Sequence, residues 1–223
     1  VTSADAYTFF LQLANKLYSN DNVNIDIGRF CYLYNKNALI WLEQRIRKTK
    51  SNQKIDEVQQ LFVKEKDLTL IGVINTHANF ALPDDWFDFS GGFAVCKTAT
   101  CSNIQINADQ VKNDNKRLIL FDDNWRPNLD FEWLPVTIGK DGIQVYFKDF
   151  TVEKFYMDYY RFPKAIDIEG YVKTDGTLST TIDPDISDIF INEILDLTVL
   201  DVSRIYQNQE KAQLDLNRIQ QEQ

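Results

Sequence analysis

The sequence predicts an α+β fold, on three observations. Apolar residues recur at helical spacing near both ends, β-branched and aromatic residues with Gly, Pro and Asn-Asp punctuation fill the middle, and capping residues stand where the helical patterns begin. The expected arrangement is a helical bundle built from residues 1–67 and 183–223, interrupted by an antiparallel β-rich insertion over 68–182.

Ser3 is placed to cap a first helix, in which Tyr7, Phe10, Leu13, Ala14 and Leu17 share one face. Ser19-Asn20-Asp21-Asn22 ends it. Asp26 is placed to cap a second helix with the stripe Phe30, Tyr34, Ala38, Trp41 and Leu42. Arg45, Arg47 and Lys48 crowd its end, where the helix dipole favours cations. Ile55, Val58, Leu61 and Phe62 indicate a short third helix.

Residues 68–74 read as a strand, and 118–121 form an apolar run stopped by Asp122-Asp123-Asn124. The strongest hairpin signal is Gly139-Lys140-Asp141-Gly142, between apolar runs 136–138 and 143–147. An aromatic strand, Tyr156-Met157-Asp158-Tyr159-Tyr160-Arg161-Phe162-Pro163, precedes a second candidate hairpin centred on Thr174-Asp175-Gly176. Asp183 as cap and Pro184 as first helical residue then open the last helix, with Asp185 and Asp188 in its first turn. Run unbroken to Ile205, it spans about 33 Å at roughly 1.5 Å per residue.

This helix carries apolar residues on two faces. Ile191, Leu195, Val199 and Val202 form one stripe, and Phe190, Ile194 and Leu197 another. One stripe suffices for a helix lying on its own domain, and Phe10, Leu13, Trp41 and Leu42 are available to cover it. The stripe of Ile191, Leu195, Val199 and Val202, continued by Tyr206, Leu216 and Ile219 of the Gln-rich end, is the candidate subunit contact.

With 33 acids against 24 bases, the formal charge is −9, which argues against a primary nucleic-acid role. No apolar run approaches the roughly 20 residues of a membrane helix. The first residues lack the basic and apolar regions of a signal peptide, so folding in a cytoplasm is expected. Cys31, Cys96 and Cys101 make no even disulfide framework, and free thiols are the simpler expectation over a Cys96–Cys101 pair.

Signals for chemistry are weak. His77 is the only histidine, and Asn75-Thr76-His77-Ala78-Asn79 reads as a surface loop. A zinc site of His77, Cys96 and Cys101 has poor spacing. Gly91-Gly92 lacks a following Lys-Ser/Thr and reads as a turn or bulge, not a phosphate loop. Asp84, Asp85, Asp88 and the pair Asp122-Asp123 do not follow the calcium-loop pattern and read as solvated loop acids. Trp86, Trp125 and Trp133, with Phe87, Phe89 and Phe131, suit either a sugar platform or a β core with a protein interface. No catalytic residue, cofactor or metal is expected.

Several of these segments in order resemble a known family. They are the paired Phe9 and Phe10, Asn37-Ala38-Leu39, Tyr159-Tyr160-Arg161-Phe162-Pro163, Ile182-Asp183-Pro184-Asp185, and Ile191-Asn192-Glu193-Ile194-Leu195-Asp196-Leu197-Thr198-Val199. The chain resembles the head-to-tail connector proteins of short-tailed bacteriophages, especially the crAss-like phages of gut Bacteroidales. The likeness covers the two ends better than the middle, and Phe30, Tyr32 and Tyr34 make the second helix more aromatic than the family pattern. It implies a virion structural protein, made in the host cytoplasm. It also implies a homo-oligomeric ring in contact with the portal protein and neighbouring connector or tail proteins, with double-stranded DNA passing nearby without specific binding. The segment around Tyr159, Tyr160, Arg161 and Pro163, with Asp183 and Pro184, would then set how the last helix leaves the insertion. The rival from another class is a carbohydrate-binding or adhesin-like β module resting on the tryptophans.

Overall fold

The structure, a computed structural model, describes residues 1–17, 25–49, 55–115, 119, 122 and 126–221, without the side chains of 16–17, 48–49, 55–57 and 206–221. Among these residues the chain is α+β, with three α-helices and one curled eight-stranded sheet. It divides into two compact units, Val1–Gln60 with Pro163–Gln223, and Leu61–Phe162. The β-rich unit thus starts and stops earlier than composition suggested, and the segment 163–182 belongs with the helices.

In the helical unit, α1 (Ser3–Leu17) is capped by Thr2 and not by Ser3. The Thr2 Oγ1 accepts the Asp5 N–H at 3.1 Å, and the Asp5 carboxylate accepts the Thr2 N–H at 3.2 Å, a reciprocal capping box. Ser3 is buried instead; its N–H and hydroxyl donate to Asp183 Oδ1 at 2.8 and 3.0 Å. The buried face of α1 is Ser3, Ala6, Phe10 and Ala14, whose small residues permit close approach, while Leu13 stays exposed. The expected stop at residues 19–22 lies outside the described residues.

The second helix, α2 (Ile27–Thr49), is capped where expected, with the Arg29 N–H donating to Asp26 Oδ1 at 2.8 Å. All five stripe residues, Phe30, Tyr34, Ala38, Trp41 and Leu42, are buried. The expected short helix is a 3-10 helix, Ile55–Leu61. The last helix, α3 (Asp188–Gln221), has 34 residues and is therefore about 51 Å long. It begins later than the Asp183-Pro184 signal, with the Ser187 carbonyl accepting the N–H groups of Phe190 and Ile191. The reason is competition for the acids. Asp183 serves the start of α1, and Asp185 Oδ1 accepts the Lys164 N–H at 3.0 Å.

Both α1 and α2 pack against α3. Lys36 pairs with Asp201 at 2.8 Å, Asn37 bonds Thr198 at 3.4 Å, and Trp41 Nε1 donates to Glu193 at 2.8 Å, so α2 and α3 run antiparallel. The segment before α3 forms the expected hairpin, with Val172 bridged to Leu178 and Asp167 to Ile182.

In the sheet unit the strands are β1 (Phe62–Asp67), β2 (Leu70–Ile74), β3 (His77–Phe80), β4 (Trp86–Lys97), β5 (Ile104–Gln110), β6 (Leu134–Gly139), β7 (Gly142–Tyr146) and β8 (Thr151–Arg161). Their order is β1-β8-β4-β5-β6-β7-β3-β2, and every pair is antiparallel except β5 with β6. The outermost strands β1 and β2 are joined by Leu68 and Thr69 alone. A residue spans at most about 3.6 Å, so this short link requires the sheet to curl. The hollow holds Phe80, Ala94, Ile106, Leu134, Val136, Ile143, Val145, Phe155 and Met157, all buried. The predicted hairpin joins β6 and β7, with Gly139 paired to Gly142. Gly142 has φ +129°, and a Cβ there would lie 2.3 Å from the Phe80 carbonyl oxygen. Of the apolar run 118–121, Ile119 alone is described, and it is buried.

Candidate functional site

The stripe expected to meet a neighbouring subunit is spent inside the chain. Ile191, Leu195, Val199 and Val202 are all buried, as is Ile194 of the other stripe. Two faces are needed because α3 packs on two helices, so both stripes find partners at home. Trp41, for example, packs against Phe190 with the rings tilted and their centroids 5.0 Å apart. The side chains of Tyr206, Leu216 and Ile219 lie outside the described residues.

What the helices leave uncovered lies elsewhere. Phe9 and Leu13 on α1, one turn apart, are exposed. So are Tyr32, Leu39 and Ile40 on α2, and Ile189 and Leu200 on α3. The sequence offered a partial signal, since each of these breaks the rule that the face opposite a buried stripe is polar. Tyr32 and Leu39, two turns apart on α2, fit no stripe facing α3.

Behind α2 lies a buried polar cluster that pattern reading missed. Asp167 accepts the Tyr171 hydroxyl at 2.8 Å, the Ile168 N–H at 3.0 Å, the Thr180 N–H at 3.2 Å, and pairs with Lys173 at 2.7 Å. Burial opposes its charge, but these bonds outweigh burial and hold the carboxyl below its ordinary value. Burial, with the charge of Asp167, pushes the Cys31 thiol up to about 11, which makes it unreactive. The cluster fixes the hairpin to α2. Asn35 clamps the Ile166 backbone in both directions, at 3.0 and 2.8 Å, and Gly28 leaves room for the Tyr171 ring. Every polar atom of Asp167 is committed to this task, so the arrangement positions a loop and has no spare group to act on a substrate.

In the sheet unit, Tyr159 and Tyr160 are buried on β8, and the Tyr159 hydroxyl donates to Asp85 at 2.9 Å. The Phe162 N–H donates to the Asp85 carbonyl at 2.7 Å, and Arg161 to the Phe162 carbonyl at 3.2 Å. The segment ending at Pro163 is thus held at the end of a central strand. His77 is not a surface histidine. It is buried on β3, its ring 5.6 Å from Tyr146, because the turn at Asn75 and Thr76 ends one residue before it. A bulge in β4 lies between Phe89 and Gly91, while Gly92 pairs in register with Met157, and a Cβ on Gly92 would lie 2.5 Å from the Tyr156 carbonyl oxygen.

Among the described residues the aromatic side chains do not gather into a platform. Trp86 packs partly buried against the sheet core, Phe89 is inside it, Phe87 meets Phe162 edge-on at 5.0 Å, and Phe131 is exposed by itself on a turn. Trp133 is tied by its backbone to Asn128, and Trp125 and Asp123 lie outside the described residues. A cleft of about 840 Å³ opens beside β7 and β8, lined in part by Lys97, Arg126, Lys148, Asp149 and Glu153. Its charges are mixed and Lys97 already faces Glu153 at 3.9 Å. Cys31, Cys96 and Cys101 are free thiols, and no cluster able to hold a metal occurs among the described residues. No described helix is long and apolar enough to cross a membrane.

Compared with known proteins, the chain matches no family model and no curated sequence.

Proposed function

We propose that this chain is a virion structural protein, a subunit of a ring in the head-to-tail connector of a short-tailed, crAss-like phage. In this reading the terminal segments close as a helical bundle, and copies assemble around an axis below the portal. Neighbouring rings and tail components touch its outer surfaces, and double-stranded DNA passes through without being specifically bound.

The observation that carries the reading is the set of apolar side chains left exposed on helices whose inner faces are already filled: Phe9, Leu13, Tyr32, Leu39, Ile189 and Leu200. Exposed apolar groups on all three helices suit a subunit with two different faces, which a closed ring of heterologous contacts requires. The resemblance of its motif order to that of connector proteins supports the same class. The charge of −9 suits a channel wall from which the phosphate backbone is repelled. No catalytic role forms part of the reading.

The test is the mass of the purified protein by light scattering or native mass spectrometry, alone and with portal protein. A closed multimer is expected, and Phe9→Asp with Leu39→Asp should dissociate it without loss of helicity. A strict monomer under both conditions overturns the reading. The rival carbohydrate-binding module predicts tryptophan quenching by glycans.

A further inference from the structure

The loop from Asn128 to Trp133 and the cleft beside β7 and β8 have matching characters. The loop is closed at its base, where Asn128 and Trp133 exchange backbone bonds at 3.1 and 2.9 Å. Within it the Glu132 N–H donates to the Leu129 carbonyl at 3.1 Å, and the Asp130 N–H to Asn128 Oδ1 at 2.8 Å. These bonds fix the turn that carries Phe131, which at 82% is the most exposed large apolar side chain among the described residues. A loop already folded around a bare ring is a preformed knob, and it loses little entropy on binding. Asp130 and Glu132 flank the ring, both exposed and without an ion pair among the described residues.

The cleft is the complement. Its volume of about 840 Å³ lies within the roughly 300–1,000 Å³ of pockets that bury a bound group. Ile119, Phe147 and Phe150 give it an apolar lining. Among the described residues around it, the cations Lys97, Arg126 and Lys148 outnumber the acids Asp149 and Glu153, in a chain of formal charge −9. Lys148 is exposed and makes no ion pair among the described residues. Phe131 does not line this cleft in its own chain, yet the base of its loop adjoins it. A smaller hollow of about 280 Å³, lined by Asn128, Leu129 and Asp130, shares Arg126, Lys148, Asp149 and Phe150 with the cleft.

We propose that Phe131 of one copy enters this cleft on a second copy, which returns its own Phe131, so that the two meet about a two-fold axis. The ring then lies on the apolar lining, and Asp130 and Glu132 meet the Lys97 and Lys148 side. Knob and hole stand beside each other on one face, which makes that face self-complementary, as an isologous contact requires. An aromatic anchor in an apolar pocket, with matched charges around it, is where interfaces concentrate their binding energy and specificity. The acids beside Phe131 also disfavour a phosphate-bearing partner, whether nucleic acid or membrane surface, because like charges repel. The proposal does not rest on the ring reading, whose contacts lie on the helices.

The test is sedimentation of the full chain against concentration, in a Phe9→Asp, Leu39→Asp background that removes the helical contact. A dimer that dissociates on dilution is expected there. Phe131→Ala should raise its dissociation constant by roughly tenfold or more. Asp130→Lys with Glu132→Lys, and separately Lys97→Glu with Lys148→Glu, should each give a monomer, because like charges then face each other. All five positions are exposed, so circular dichroism should stay that of the parent. An equimolar mixture of the two charge variants should form the dimer again, since each knob then meets a cleft of opposite sign, a rescue that loss of folding cannot produce. A monomer at every concentration in the background, a dimer untouched by Phe131→Ala, or a mixture that stays monomeric overturns the proposal. A multimeric parent with a monomeric background leaves the ring reading standing and defeats this one. A dimer in both, never exceeded with portal protein present, does the reverse.

Discussion

In the helical unit the polar groups lie inside the packing; in the sheet unit they lie mainly on the backbone ladder. Asn37 and Thr198 sit buried between α2 and α3, Glu193 joins Trp41 there, and Asp167 anchors a whole hairpin. A helix surface looks nearly alike one turn up or down, so side-chain bonds are needed to fix register, the role a buried Asn takes in coiled coils. A sheet already specifies register through its ladder and alternation. Its core can then be almost wholly apolar, with His77 and Thr137 beside Tyr146 as the exceptions among the described residues. The helical unit should accordingly answer to pH, and the sheet unit to volume.

The largest expected effect is Phe155→Ala. Phe155 is fully buried and 5.8 Å from Phe80, ring to ring, so truncation should cost about 3–5 kcal/mol. Denaturation read through Trp86, Trp125 and Trp133 measures it, and the loss should not depend on pH. Next is Asp167→Asn, which should cost about 2–3 kcal/mol at neutral pH, since bonds to a buried charge are lost. Its folded pKa lies below the ordinary 3.8, so its stabilisation is complete above that value and disappears as pH falls through the lowered one. The variant and parent should therefore converge in acid. Trp41, the one tryptophan in the helical unit, reports this separately. A pH-independent difference would break the contrast between the units.

Gly92→Ala should cost about 1–2 kcal/mol, because a Cβ placed 2.5 Å from the Tyr156 carbonyl oxygen forces β4 and β8 apart, one residue beyond a bulge that can give. Gly72→Ala, with open space around it at the β2 bulge, should leave the melting temperature unchanged. Equal losses at the two positions would show that strand propensity and not close approach governs glycine in this sheet.

Periodicity made much of this architecture legible. The α2 stripe, the Asp26 cap, the Gly139 to Gly142 hairpin and the bulge that ends at Gly91 all follow from local rules, since their causes lie within a few residues of one another. The misreadings share the opposite property. Ser3 and Asp183 each look like the cap of the helix that follows, and each is instead the long-range partner of the other. Ile191, Leu195, Val199 and Val202 looked surplus because the sequence shows how many apolar faces a helix has, but not how many neighbours reach it. His77 looked like a loop residue among Asn and Thr, yet the turn is short enough to place it on β3.

The smallest effect tests the claim that local rules hold where they succeeded. Asp26 caps α2 through one side-chain bond to the Arg29 N–H, and it also places a negative charge at the positive end of the helix. Asp26→Ala removes both, and Asp26→Asn removes the charge alone. The first should cost about 1 kcal/mol, and the second a few tenths, seen as shifts in melting temperature at low ionic strength. Added salt should shrink the Asn difference and leave most of the Ala difference. If Ala and Asn cost the same, the charge alone carries the cap. The contrast between units then extends even to the helix ends, with electrostatics setting them in the helical unit as it sets the hairpin at Asp167.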